Sequence, residues 1–346
     1  MIAQLGGTLN AGKVTSSMTQ NVAAPLKVLV IGAGVIGTLY AVKLADAGNA
    51  VGLLARGDRL RELKEDGARI RDVGNGKLKV APFLLIEETE AVGSYDLVVV
   101  SVRKTQLESV LPLLVHCATP TILFLLNNPE DAARILEMLG EGRVLLGFPG
   151  AGGSLQRGVV EYALIPQQPT TIGEPSTAIT PRLRRIAQVL IRAGFRTVIS
   201  RDMPAWLKTH AVFVTAVAGA LYAGGGSAKT LAHDHVLLEE FVLGVRRGFG
   251  ALQKAGVQVT PWNLRLLFAI MPSAFAMAYW RRYFGSATAE LVFARHALAA
   301  GEEMAELVRE CRALFQLHSV TCPEIELLWG QVETFADRAA PGDKQG

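Results

Sequence analysis

Apolar residues follow two different rhythms along the chain. Up to about residue 200 they come in short, nearly continuous runs: LKVLVI at 26–31, AVGLLA at 50–55, LVVVSV at 97–102 and TILFLL at 121–126. Such runs predict strands buried on both faces of a parallel sheet. A helical pattern ends near Ala47 with Gly48 as its stop, further helices are predicted at 106–114 and 131–139, and 144–148 is a weaker strand. Residues 150–180, rich in Gly, Pro, Gln and Thr, read as irregular or antiparallel strands, followed by a helix over 182–193 and a short strand at 197–200. Strands alternating with helices predict βαβ units and a doubly wound, mostly parallel sheet.

Beyond Pro204 the strand signals stop. Long helical patterns fill 205–223, 230–255, 262–282, 286–317 and 323–337. The expected organisation is a flexible tail at 1–25, an α/β nucleotide-binding domain at 26–200, an all-α domain for substrate and dimerisation at 201–337, and a short tail at 338–346. Met18, just before the periodic sequence begins, is an alternative start to Met1.

Composition narrows the class. Half of the 346 residues are hydrophobic and 19% are charged, which excludes a disordered chain. Three cysteines, Cys117, Cys311 and Cys322, exclude a disulfide-stapled scaffold and read as core thiols. The net charge of +4, from 35 basic against 31 acidic residues, leaves no nucleic-acid footprint but suits a small anionic ligand. The most apolar stretches are 211–226, which fades into Gly, and 264–280, which carries Arg265 and is broken at Pro272. A membrane span wants about 20 apolar residues, so these are expected to be buried or dimer-interface helices. No signal-peptide pattern opens the sequence, and a cytoplasmic location is the expectation.

The candidate chemistry starts at GAGVIG, residues 32–37, between a buried strand and a helix. That context makes G-x-G-x-x-G a dinucleotide loop. Gly32 permits the tight turn, Gly34 lets the backbone approach a pyrophosphate, and Gly37 lets helix and strand pack closely, with Ala33, Val35 and Ile36 between them. The fold expectation is therefore a Rossmann-type sheet followed by an all-α domain. An NAD site usually carries an acidic residue at the end of the second strand; here Leu54 and Ala55 lead into Arg56, which suits the 2′-phosphate of NADP. Arg59 and Arg61 read as a solvated helix face. Two polar clusters, 103–106 (RKTQ) and 127–129 (NNP), stand at successive strand ends, where ligands bind in open α/β sheets.

Taken in order, GAGVIG, LLARG ending at Gly57, VSVRKTQ at 100–106, LLNN at 125–128, TIGEP at 171–175, WLKTH at 206–210, GEEMAELV at 301–308 and HSVTCPE at 318–324 resemble the ketopantoate reductase family. The resemblance spans about residues 27–330 and implies NADPH-dependent reduction of a 2-oxo acid. It implies Lys208 as general acid, since a lysine on the first long helix of the second domain fills that role in the family. It also implies Glu303 as the active-site glutamate and Asn127 as the asparagine near the nicotinamide. The family's nucleotide-contacting lysine maps to Arg103, with Lys104 adjacent.

The sequence departs from the family where two asparagines are expected, four and eight residues after Lys208; Val212 and Ala216 stand there. Thr215 shares that helix face and partly compensates in this reading, as a substrate contact beside Lys208 and Asn127. Loss of such hydrogen-bond partners weakens selection for a hydroxylated substrate; either the substrate is different and more apolar, or the donors come from elsewhere. An opine- or imine-forming dehydrogenase and a catalytically silent NADP-binding sensor are the alternatives. His233-Asp234-His235 lacks metal-ligand spacing and reads as a helix cap; no metal is expected. His210, two residues after Lys208, is expected on another face of the helix.

Overall fold

The computed structural model describes residues 24–81, 84–86, 93–127 and 132–339. Met18, Asn128, Pro129 and nearly all of both expected tails lie outside the described residues.

The four strongest apolar runs form β1 (Lys27–Ile31), β2 (Ala50–Leu54), β6 (Leu97–Val100) and β7 (Ile122–Leu125). β8 (Val144–Phe148) extends them as another parallel strand. With β5 (Leu84–Ile86), β11 (Thr170–Gly173) and β12 (Thr197–Ile199) they make an eight-stranded sheet in the order β12-β11-β8-β7-β6-β1-β2-β5. Among the described residues of this sheet, only the β11–β8 pairing is antiparallel. Alternation along each strand feeds two cores. Val28 and Val30 pack with α1 (Val35–Asp46) and α5 (Pro181–Arg192), while Leu29 and Ile31 pack with α3 (Leu107–His116) and α4 (Ala132–Leu139). Each such side chain contributes about 1.5–3 kcal/mol on burial. α2 (Gly57–Asp66) follows β2.

A second, four-stranded sheet was not anticipated. β3 (Ala68–Asp72), β4 (Leu78–Ala81), β9 (Ala151–Gln156) and β10 (Val159–Leu164) pair in the order β4-β3-β10-β9. Its β9–β10 hairpin is the antiparallel structure expected within 150–180, and the sheet lies against α1.

β12 ends at Ile199 and the long helix α6 (Met203–Ala223) begins four residues later, capped by Asp202, whose side chain accepts from Ala205 N at 2.9 Å. The helical half is more broken than its periodicity suggested. The pattern at 230–255 divides into α7 (Ala228–His233) and α8 (His235–Lys254). Asp234 caps α8 by accepting from Val236 N and Leu237 N, as expected for the His-Asp-His segment. The pattern at 262–282 divides into α9 (Trp262–Arg265), a π-helical turn (Leu266–Ile270) and α10 (Ser273–Phe284), because Pro272 cannot continue the ladder. That at 286–317 becomes α11 (Ala287–Ala289), a second π-helical turn (Glu290–Ala294), α12 (Arg295–Ala299) and α13 (Gly301–Leu317). α14 (Pro323–Ala339) closes the bundle.

α6 is the axis of this half. Its apolar residues are buried on almost every side, in a core shared with α8, α13 and α14. Its first turns instead pack on the sheet, where Met203, Trp206 and Leu207 join the core of α3 and α4. A buried ion pair, Lys104 with Glu310 of α13, adds a second tie between the halves. All three cysteines are buried thiols. Among the described residues, no helix is long and apolar enough to cross a membrane.

Candidate functional site

Four parallel strands deliver their carboxyl ends to one edge of the sheet: β1 into Gly32, β2 into Arg56, β6 into Ser101–Arg103 and β7 into Asn127. In the strand order, β2 and β6 flank β1 on opposite sides. The connections therefore leave in opposite directions and open a crevice between them, the switch point where doubly wound sheets take ligands. A cavity of about 760 Å³ occupies it, floored by the glycine turn and closed on the far side by α6, the 290–300 segment and α13.

The glycine turn is built for close approach. Gly32 has φ +103°, and a Cβ there would lie 2.3 Å from the Ser101 carbonyl oxygen, so only glycine fits. Gly34 lines the cavity with no atom within 4 Å of the place a Cβ would take; that space is left for a ligand. Gly34 is also the N-cap of α1, and the amides that follow have no carbonyl partner within the helix. Val35 and Ile36 bring that helix end to the cavity wall, an arrangement suited to a phosphate. Gly32, Ala33, Gly34, Val35 and Ile36 line the cavity, whereas Gly37 lies beneath the turn, where a Cβ would meet the Gly32 carbonyl oxygen at 1.7 Å.

Charge is gathered at the same end. Arg56 is exposed and lines the cavity from the end of β2; Arg103 does so from the end of β6. Arg59, read from the sequence as part of a solvated face, is a correction. Its side chain is 14% exposed, its Nε donates to the Ala33 carbonyl at 3.0 Å, and it lines the cavity, bracing the glycine turn. Arg61, at 74% exposed, does remain in solvent. Lys104 is a second correction, because its ammonium is committed to Glu310 and does not reach the wall.

At the other end of the cavity stand two buried polar residues, Asn127 (5% exposed) and Glu303 (9% exposed), from β7 and the first turn of α13. Lys208, Thr215, Val212 and Ala216 are not with them. Thr215 is buried between α6 and α14, donating to the Ala211 carbonyl at 2.7 Å and accepting from Trp329 Nε1 at 2.9 Å. Val212 and Ala216 belong to the helical core. Lys208 is partly exposed and absent from the wall. The α6 residues that do line the cavity are His210 and Val214, four apart on one face. The register of α6 over the site is thus two residues away from the one inferred by counting from Lys208. The apolar residues of the cavity wall include Val214, Phe148, Val292 and Phe293, and not Val212 or Ala216.

His210 is the residue that sequence reasoning passed over. It is 4% exposed, with its ring 4.0 Å from that of Phe148 and stacked on Trp206 at 5.1 Å and 9°. The one signal for it was its spacing from Val214, which α6, apolar all round, does not make distinctive.

Residues 28–177 match the family model described as ketopantoate reductase PanE/ApbA. Among curated proteins, the 2-dehydropantoate 2-reductase of Aquifex aeolicus (strain VF5) is 26% identical over 202 residues, covering 57% of this chain and 63% of its own. That of Mesorhizobium japonicum is 24% identical over 210 residues, covering 53% of this chain and 63% of its own. The chain thus spans less than two thirds of the length of these relatives. Among solved structures, a putative ketopantoate reductase from Ralstonia solanacearum MolK2 superposes with a TM-score of 0.74 at 20% identity, over 91% of this chain and 99% of its own. A D-mandelate dehydrogenase in ternary complex with NADH and anilino(oxo)acetate gives 0.73 at 16%, over 90% and 99%. These two likenesses establish the fold of nearly the whole chain.

Proposed function

We propose that the chain, whose residues 28–177 match the ketopantoate reductase family model, is an NADPH-dependent reductase of a 2-oxo acid bearing an apolar substituent. The observation that carries this reading is the composition of a single cavity, with the glycine turn and Arg56 at one end and Asn127, Glu303 and an apolar wall at the other.

The turn at Gly32–Ile36 would hold the pyrophosphate against the α1 amides, and Arg56 would take the 2′-phosphate. Bound there, NADPH supplies a hydride. The nicotinamide and substrate then fall to the half of the cavity bounded by Asn127 and the helical domain. Asn127 offers an amide to orient the ring or the substrate carboxylate, and Glu303 a carboxylate to orient a donor. Val214, Phe148, Val292 and Phe293 exclude water and favour an apolar group. The relatives' names bracket the choice: some are named for 2-dehydropantoate and some for D-mandelate, whose side chains are a hydroxylated branched alkyl and an aryl.

The test is NADPH oxidation with a graded panel: pyruvate, 2-oxoisovalerate, ketopantoate and benzoylformate. Burial of about 0.8 kcal/mol per carbon predicts kcat/KM rising roughly tenfold or more from pyruvate to 2-oxoisovalerate. Preference for pyruvate would refute the apolar assignment. Activity only with an added amine would favour an opine- or imine-forming dehydrogenase, and tight NADPH binding without turnover a sensor.

A further inference from the structure

A 2-oxo acid brings its own charge into the cleft, with a carboxylate joined directly to the keto carbon. Whatever grips that carboxylate also sets the keto carbon under the hydride. Three basic side chains of the wall serve the nucleotide end. Arg56 and Arg103 stand at the ends of β2 and β6, and Arg59 gives its Nε to the Ala33 carbonyl and its Nη1 to Glu62. Among the described lining residues of the helical half, Arg295 of α12 is the one arginine or lysine and Glu303 the one carboxylate. Glu303 by itself repels an anionic substrate, and a cation on the same wall offsets that repulsion.

The placement of Arg295 follows from the π-helical turn Glu290–Ala294 just ahead of it. Val292, Arg295 and Ala299, at i, i+3 and i+7, share one helix face, and all three line the cavity. Three contacts hold that segment. Glu290 Oε2 accepts from Ala228 N at 3.0 Å, and the Tyr222 hydroxyl of α6 donates to the Ala297 carbonyl at 2.5 Å. Val292 packs so closely on β9 that a Cβ at Gly152 would stand 3.0 Å from its Cγ1. The Arg295 side chain is 48% exposed, and its ion pair with Glu161 Oε2 of β10 is 3.8 Å long, beyond hydrogen-bond length. Glu161 already accepts from Arg71 Nη1 at 3.1 Å. A loose, half-exposed pair of this kind contributes little, so a ligand carboxylate competes for the guanidinium at small cost. Resting on the reductase reading, we propose that Arg295 binds the carboxylate of the 2-oxo acid, beside the apolar wall that Val292 supplies. Its planar fork matches the two carboxylate oxygens, which a lysine cannot do. One helix face then reads both features of the substrate class, the fixed negative charge and the apolar substituent.

The experiment uses the full chain, Arg295→Gln and Arg295→Lys. It compares kcat/KM on the best 2-oxo acid of the panel with that on its methyl ester, which keeps the keto group and the substituent but not the charge. Binding of oxamate, an unreactive 2-oxo acid mimic, to the NADPH complex and the Kd of NADPH itself are measured alongside. Both variants replace a half-exposed side chain and should keep the wild-type Tm within about 2 °C. The wild type should prefer the acid to the ester by about tenfold or more. Arg295→Gln should lose about 10–100-fold on the acid and in oxamate affinity, and less than about threefold on the ester and in NADPH affinity. Arg295→Lys, which keeps the charge without the fork, should recover part of the loss on the acid. Equal losses on acid and ester in Arg295→Gln overturn the assignment. So does a loss confined to NADPH affinity, which would put Arg295 on a cofactor phosphate. A wild type that reduces the ester as well as the acid overturns it without any variant. If the wild type reduces neither, the reductase reading fails and this proposal with it; if it reduces the acid, the other failures fall on Arg295 alone.

Discussion

Two alanine substitutions three residues apart should fail in opposite ways. Gly37→Ala places a Cβ 1.7 Å from the Gly32 carbonyl oxygen, so α1 must withdraw by roughly 1.3 Å to reach even the 3.0 Å limit of real contacts. That movement also strains the bond from Thr38 Oγ1 to the Ala33 carbonyl, now 3.1 Å. Overpacking of this kind costs about 3 kcal/mol, or about 6–12 °C in Tm for a domain of this size. Gly34→Ala meets nothing within 4 Å and should leave Tm within about 2 °C. Its methyl instead occupies the phosphate approach. Displacing one charge-assisted hydrogen bond is worth about 1.5–3 kcal/mol, or roughly ten- to hundredfold in NADPH Kd. Thermal melts and a fluorescence titration with NADPH read both effects. Gly37→Ala as stable as wild type would refute the packing of α1 on the turn. Gly34→Ala with unchanged NADPH affinity would refute the phosphate position.

Three further outcomes follow from other parts of the molecule. Arg56→Ala should weaken NADPH about tenfold or more and NADH less than threefold, measured as Kd; equal losses would remove the 2′-phosphate from Arg56. Lys104→Met removes the buried ion pair with Glu310 in the interface between the halves, where the Glu310 side chain is 12% exposed, and should cost about 3–5 kcal/mol in denaturant unfolding. Lys104→Met combined with Glu310→Leu should recover most of that loss. Glu333 is held below the usual carboxylate range by hydrogen bonds from Arg312, which also grips Glu326. A depressed carboxyl stabilises the fold above its unfolded pKa and loses that contribution as pH falls through its folded value. Glu333→Gln should therefore cost under about 1 kcal/mol at pH 7, the pair being partly exposed, and progressively less as pH falls through the folded-state value; a deficit that does not shrink in acid would contradict the ion-pair origin.

The parts of the fold that were legible in the sequence are those where one physical demand dominates. β1, β2, β6 and β7 are covered on both faces, so every residue had to be apolar and the runs announced themselves. β4 (LKVA) is an edge strand and β3 (ARIRD) lies beside it in a small sheet, each with one buried face at most, and their charges hid them. The glycine turn was legible because backbone proximity allows no substitute. The far end of the site was not. α6 is apolar all round, being buried on nearly every side, so its sequence gave no phase, and counting from Lys208 selected the face that packs on α8 and α14. Lys104 and Arg59 went astray for another reason: their partners, Glu310 and the Ala33 carbonyl, are distant in the chain or belong to the backbone. Side-chain charge alone does not reveal such commitments.

The central claim is direct reduction of a 2-oxo acid in this cleft, and isotope transfer tests it most closely. The chain is supplied with NADPH dideuterated at nicotinamide C4 and the preferred 2-oxo acid in ordinary water, and the product is weighed by mass spectrometry. The account predicts one deuterium per 2-hydroxy acid, fixed on C2 and retained on exchange. A product without deuterium, or cofactor oxidation with no hydroxy acid formed, would contradict it.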